Sequence, residues 1–198
     1  NTQRTRSFLF TAIAAVVADL EGAHRIRFYE NGVMSVNLPI STQVVGTRAT
    51  RTTHPHSLRL LERLLALVWA NDITIDNPFI WKTKAEVVQA LRSHDDRKLI
   101  AQAISCSRTR EITKMHTHCG ACAQCLQRRI GTLGAGLADA DPEKDYAIDF
   151  LLGPRESTED RAMAVDMIRC ALEFRRLSDV GFLECYAGEF SRLTASIP

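Results

Sequence analysis

Long hydrophobic runs are missing from this chain of 198 residues. The longest, Phe8 to Leu20, is interrupted by Thr11 and Asp19 and is too short to cross a bilayer. No small-residue cleavage site follows it, so it does not read as a signal peptide. Repeats and low-complexity tracts are absent, which excludes solenoids and tail-like segments. Aromatic residues make up only 7% and are not interleaved with the arginines, and the net charge is just +2. Both points weigh against a nucleic-acid surface. Lysine is scarce, with 5 residues against 20 arginines. Arginine offers a rigid fork that matches carboxylate and phosphate, although genomic base composition is the readier explanation of the imbalance. What is present is ordinary for a globular protein: 45% hydrophobic and 24% charged residues. A chain of this length buries a sizeable core without disulfide staples.

Periodicity predicts a helix over 3–20, closed by Glu21-Gly22, and a strand over 25–29. Glu30-Asn31-Gly32 is a turn signal, with a second short extended piece expected over 33–38. Residues 39–56 have no clear period, are rich in threonine and carry Arg48, Arg51, His54 and His56; they read as a long loop of the kind that often serves function. An amphipathic helix is expected over 57–71 and a short strand over 73–75. Thr83 and Glu86 form a capping box that starts a helix at Lys84 and carries it to about Arg92. Asp95 is placed to cap a short helix over 96–104. Further helices are expected over 122–137, from Ser157 to about Leu177, and over 181–193. Helix alternating with short strands in the first 80 residues points to an α/β layered domain, followed by a helical last third.

Four of the six cysteines cluster as Cys106, Cys119, Cys122 and Cys125, a C-x12-C-x2-C-x2-C pattern. Short C-x2-C spacings let two thiolates meet one tetrahedral ion, and an upstream sulfur closes the site. Zinc held by four sulfurs is the expectation. A site with His116 or His118 replacing one sulfur, and an iron–sulfur cluster, are the alternatives. A closed site of this kind is structural and does not activate water. Cys170 and Cys185 lie in apolar helical surroundings and read as core residues. With no secretory signal, a metal is a better explanation of the cluster than disulfides, and a cytoplasmic location is expected.

The segment Ser105-Cys106, then His118-Cys119-Gly120-Ala121-Cys122-Ala123-Gln124-Cys125-Leu126-Gln127-Arg128-Arg129, resembles the zinc segment of 7-cyano-7-deazaguanine synthases of queuosine precursor synthesis. Asn77-Pro78-Phe79-Ile80-Trp81-Lys82-Thr83-Lys84-Ala85-Glu86 is similar to that family's strand end and following helix start, and Arg4-Thr5-Arg6-Ser7-Phe8-Leu9-Phe10 to its R-x-x-L-F helix. The likeness covers roughly residues 3–138. It implies the C-terminal part of a PP-loop, Rossmann-like α/β/α domain over 1–142, with its zinc segment at 106–125 and a helical extension over 143–198. It also implies ATP-dependent activation of a 7-deazaguanine carboxylate through an acyl-adenylate, giving an amide or a nitrile, with structural zinc and with ATP and Mg2+.

The family's S-G-G-x-D-S turn, which offers backbone N–H groups to nucleotide phosphates, has no match in these residues. The 46–55 loop is closer to divergent synthase-like proteins of bacterial antiviral defence settings, where a protein amine replaces ammonia as acceptor. The chain opens on Asn1 rather than methionine, so the ATP loop is expected upstream of it or on a partner subunit; a homodimer is also compatible. The aperiodic loop, which differs from the common synthase pattern, offers Arg48 and Arg51 to clamp phosphate or carboxylate and Thr52, Thr53 and His54 to hydrogen-bond the ligand. Lys84 matches the family's lysine, and Arg128, one turn after the last cysteine, either points into the site or pairs with a carboxylate. Lys84 and Arg128 are the catalytic candidates. Two other functions compete: a non-catalytic, zinc-stabilised subunit that completes an ATP-binding partner, and a nucleic-acid-binding zinc module.

Overall fold

The computed structural model describes residues 5–41, 51–69, 72–94, 96–110 and 115–194. It divides into two compact units. The first comprises residues 1–39, 43–81 and 176–198; the second comprises 40–42 and 82–175. The segment after residue 142 is therefore shared between them: its first part packs with the cysteine cluster and its last part with the sheet. Among the described residues no helix is long and apolar enough to cross a membrane.

The first unit is built on two parallel strands, β1 (Arg25–Arg27) and β2 (Thr74–Asp76), with Ile26 opposite Ile75. Helix α1 (Arg6–Leu20) ends at Gly22, whose φ of 64° suits a residue without a Cβ. The Ala23 N–H then donates to the Ala18 carbonyl at 2.7 Å. Helix α2 (Gly32–Val36) stands where an extended piece was expected. The Asn31 side chain caps it by accepting from the Met34 N–H at 3.2 Å, and Asn37 closes it in the left-handed region at φ 64°. Two asparagines at the ends thus override the apolar alternation between them.

Helix α3 (Pro55–Val68) begins two residues earlier than its apolar period suggests. Pro55 fits the first helical position and His54 acts as the N-cap, its Nδ1 accepting from the His56 N–H at 3.2 Å. The core between sheet and helices holds Ala15, Ala18, Ile26, Leu58, Leu65, Ile73 and Ile75. The expected last helix is broken at Tyr186 into α8 (Asp179–Cys185) and α9 (Ala187–Thr194). The break brings the Phe182 ring to 5.0 Å from Tyr186 and 5.9 Å from Phe190.

The second unit is helical. Helix α4 (Lys84–Gln89) starts at the expected capping box: the Thr83 N–H donates to Glu86 Oε2 at 2.6 Å, and the Glu86 N–H to Thr83 Oγ1 at 3.3 Å. It gives way to a 3-10 turn over Ala90–His94, so the helix expected to reach Arg92 is shorter. Helix α5 (Arg97–Gln102) follows, capped at Asp96 without a side-chain bond; the proposed cap Asp95 lies outside the described residues. Helix α6 (Ala123–Gly134) leaves the cysteine cluster and crosses α4 at its glycines. A Cβ at Gly131 would stand 2.7 Å from Lys84 Cγ, and one at Gly134 3.1 Å from Ala85 Cβ. Helix α7 (Thr158–Arg176) is capped by Ser157, whose Oγ accepts from the Glu159 N–H at 3.2 Å.

Candidate functional site

In the second unit the turn Cys119–Cys122 leads directly into α6, so two thiols precede the helix and Cys125 stands in its first turn. The four sulfurs of Cys106, Cys119, Cys122 and Cys125 lie within 4.8 Å of one another, and all four residues are buried. Cys122 and Cys125 Sγ are 3.4 Å apart, and Cys119 and Cys125 Sγ 3.9 Å. A tetrahedral ion with Zn–S bonds of about 2.3 Å asks for sulfurs about 3.8 Å apart. A multi-iron cluster, with each cysteine on its own iron, would spread them further. Among the described residues the metal-ready group contains no histidine, so neither His116 nor His118 takes a sulfur's place.

Backbone N–H groups already point at the sulfurs. The Cys122 N–H donates to Cys119 Sγ and the Arg108 N–H to Cys106 Sγ, both at 3.4 Å. The shared hydrogen bond between Cys122 and Cys125 splits the pair. It holds Cys122 down to about 3, helped by Ser107, and together with burial pushes Cys125 up. Burial also raises Cys119. Packed sulfurs with inward donors suit anionic thiolates around a cation, so these residues could hold a metal ion such as zinc. Of the other two cysteines, Cys170 is buried, whereas Cys185 is exposed rather than in the core, because α8 turns it outward.

Gly120 is required by this turn. Its φ is 81°, and a Cβ there would stand 2.0 Å from the Ile148 carbonyl oxygen. Gly120→Ala is therefore expected to open the cysteine turn and lower metal affinity at least about tenfold, the scale of losses on disturbing a metal's surroundings. Titration with a competing chelator reads this directly, and an unchanged affinity would show that the turn tolerates the shift.

Behind the cysteines lies a buried ionic network that the sequence reading did not find. Asp141, 1% exposed, accepts from Arg128 Nε at 2.8 Å, from the Thr132 hydroxyl at 2.9 Å and from the Tyr146 hydroxyl at 2.8 Å. Arg129 donates to the Asp141 carbonyl and, at 3.1 Å, to Glu143. The Arg128 Nη atoms donate to the carbonyls of Ala103 and Ile100. Arg128 thus ties the end of α5 and the 138–146 segment to α6, with all its nitrogens engaged. Burial opposes ionisation of Asp141. The Arg128 hydrogen bond and charge, with the Tyr146 and Thr132 donors, outweigh it, so the carboxyl sits below the usual carboxylate range. Burial, and then Asp141, push the Tyr146 phenol up. His118 stacks on Tyr146 with ring centroids 4.9 Å apart, and burial and then the Arg128 charge lower its pKa.

In the first unit a polar cluster forms where β1 and β2 end, the place where parallel sheets receive ligands. Asn77, just past β2, donates to the Glu30 carbonyl at 2.8 Å and to Ser35 Oγ at 2.9 Å. The Ser35 hydroxyl lies 3.2 Å from that of Thr53. Tyr29 and Phe79 meet edge to face at 5.5 Å beside them. Thr53, Thr52 and Arg51 are half-buried there, and Arg51 holds φ at 45°, an uncommon region for a residue with a side chain. The Arg51 carbonyl accepts from Ser57 Oγ at 2.8 Å, which pins the turn to α3. His54 is buried, its Nε2 has no partner among the described residues, and burial and then the Arg51 charge lower its pKa. Arg48 lies outside the described residues.

The structure therefore gathers Thr53 with Ser35 and Asn77, and the four cysteines with one another. Lys84 stands at the start of α4 with its stem along Gly131. Ser35 and Asp141 escaped the sequence reading because lone polar residues carry no period. Asn77 was visible only as part of the Asn-Pro-Phe strand end.

No curated protein and no solved structure matches the chain. A family model does: that described as queuosine biosynthesis protein QueC matches residues 4–136, a span that takes in the four cysteines, Arg51 to His54, Lys84 and Arg128. The chain, with its small parallel sheet and buried four-cysteine cluster, belongs to the QueC family, the ATP-dependent 7-deazaguanine synthases of queuosine biosynthesis.

Proposed function

We propose that the chain handles the acyl substrate of an ATP-dependent synthase that activates 7-carboxy-7-deazaguanine. A carboxylate oxygen attacks the α-phosphorus of ATP, pyrophosphate leaves, and an amine then displaces AMP to give the amide. The observation that carries this reading is the family match over residues 4–136. The cluster at the strand ends supports it: hydroxyls, an amide and an aromatic pair suit a planar base with polar edges.

In this reading Arg51, with Arg48, neutralises phosphate or carboxylate charge, and Thr52, Thr53 and His54 orient the base. Phosphoryl and adenylyl transfers depend on such positioning and charge stabilisation. Lys84 is the cation offered to developing charge. Arg128, engaged on three sides, serves as a positioning residue beneath the metal turn. The four cysteines hold zinc, which pins the Cys106 loop to the start of α6. The phosphate-cradling turn comes from a segment outside these residues or from a partner subunit, and Mg2+ accompanies the ATP. The defence setting and a protein amine as acceptor belong to the same proposal.

The test uses the natural full-length gene product with ATP, Mg2+, ammonium and 7-carboxy-7-deazaguanine. Release of AMP and pyrophosphate with an amide seen by mass spectrometry is the expected result. Full zinc content without turnover, but with turnover restored by a loop-bearing partner, would favour the non-catalytic subunit instead. Arg51→Ala is expected to lower kcat/KM about tenfold to a hundredfold, the scale of a charge-assisted hydrogen bond lost in the transition state. Its melting curve should stay in place, and unaltered kinetics would take Arg51 out of the site.

A further inference from the structure

Helix α7 buries one side through Met163 and Cys170 and leaves another open. On the open side Val165, Ile168 and Leu172 are 44%, 61% and 48% exposed. Their spacing places them in one line, and at about 100° per residue Arg161 and Arg175 extend that line at its two ends. Of the helix's four acidic residues, Glu159, Asp166 and Glu173 fall on another side, and Asp160 is buried and bonded to Arg108. Alongside runs a groove of 480 Å³ between α7 and α6, lined by Leu126, Ile130, Phe150, Met167, Ile168 and Leu172 among others, with Arg155 and Arg175 at its walls.

The hydrogen bonds that Arg155 and Arg161 make here go to backbone carbonyls. Arg155 donates to the Phe150 carbonyl at 2.8 Å and to the Gly153 carbonyl at 3.4 Å, and its Nε is buried with no partner among the described residues. Arg161 donates to the Glu156 carbonyl at 3.2 Å. Among the described residues no carboxylate pairs with Arg155, Arg161 or Arg175. An apolar line closed by a guanidinium at each end asks for an apolar ligand with a carboxylate at each end.

We infer that this face of α7 docks an acidic amphipathic helix of a partner protein. Its apolar anchors lie against Val165, Ile168 and Leu172, and its carboxylates meet Arg161, Arg175 and Arg155. Helix-in-groove recognition uses this spacing. The line from Arg161 to Arg175 is about 21 Å long, which a helix of about fourteen residues covers. A second copy of the chain is the poorer occupant. A two-fold axis through Ile168 would set Arg161 against Arg175 of the other copy, and like charges in register oppose association. The inference is independent of the proposed activity, since every residue it uses stands on α6, α7 or the loop between them.

The test is fluorescence anisotropy with the intact chain and a labelled fifteen-residue helical peptide carrying leucines at helical spacing and glutamates at both ends. A matched peptide with lysines at the ends is the comparison. The acidic peptide is expected to bind, the lysine peptide to bind at least about tenfold more weakly, and added salt to reduce the difference. Ile168→Ser and the double change Arg161→Glu with Arg175→Glu should each weaken the acidic peptide about tenfold or more, with metal content and melting unchanged. The second variant should instead favour the lysine peptide. Equal binding of both peptides, or none, overturns the inference. So does a dimer in sedimentation that Ile168→Ser dissolves, which would make a second copy the occupant. Binding to anionic lipid vesicles in preference to the peptide would do the same.

Discussion

If the four cysteines hold a metal, changing Cys122 to serine is expected to release it and destabilise the second unit by more than about 4 kcal/mol, the range reached when a structural metal is lost. Cys122 contributes one sulfur of the four and stands between the turn and α6, so its loss breaks both the ion's coordination and the closure of the turn. A serine hydroxyl is a far weaker ligand than a thiolate, and it leaves three buried thiols around a poorly bound ion. Metal binding at such a site is folding free energy, because the unfolded chain has no preformed site. Calorimetry and metal analysis of the same sample read both effects. Cys185→Ser is the control: Cys185 is exposed and outside the cluster, so metal and melting should both hold. A Cys122→Ser protein without metal but with an unchanged melting temperature would end the structural role.

Asp141→Ala is expected to cost about 3–5 kcal/mol, because removing one partner of a buried ionic group strands the other charge. Arg128 and Arg129 are 7% and 4% exposed, and among the described residues Asp141 is their buried carboxylate partner while Glu143 is exposed. Tyr146→Phe deletes one donor to the same carboxylate and should cost only about 1 kcal/mol. Asp141→Asn keeps the shape, loses the charge and supplies the pH test. The native carboxyl is held below its usual value, so its contribution is fully present above the unfolded pKa of about 3.9 and is lost as pH falls through the lower native value. The stability gap between the natural protein and Asp141→Asn should be constant from neutral pH down to about 4 and shrink below that. A gap that does not narrow in acid would mean that the ionised form is not the one the network stabilises.

Local signals carried a good deal of this molecule. The cysteine spacing announced a four-sulfur cluster because C-x2-C turns are closed by chain geometry alone. The capping box at Thr83 and Glu86 and the glycine after α1 set helix ends, since caps act within one turn. Apolar periods found α1 and α3, and the Ser157 start signal found α7, to within a few residues. Local signals also misled where two of them competed. Asn31 and Asn37 folded an alternating stretch into α2, and Tyr186 interrupted what its period presents as one helix.

What the sequence by itself determined is therefore most of the helices, the two short strands as separate segments and the four cysteines as a candidate metal cluster, all read from signals that act between residues near one another along the chain. The tertiary structure alone decided three other things. It buried Asp141 among Arg128, Thr132 and Tyr146, joined Ser35, Thr53 and Asn77 at the strand ends, and left one side of α7 open between two arginines. Each depends on residues brought together from separate elements, or on which side of a helix finds a partner. A polar side chain gives no sign along the sequence of whether its partner is water or another part of the fold.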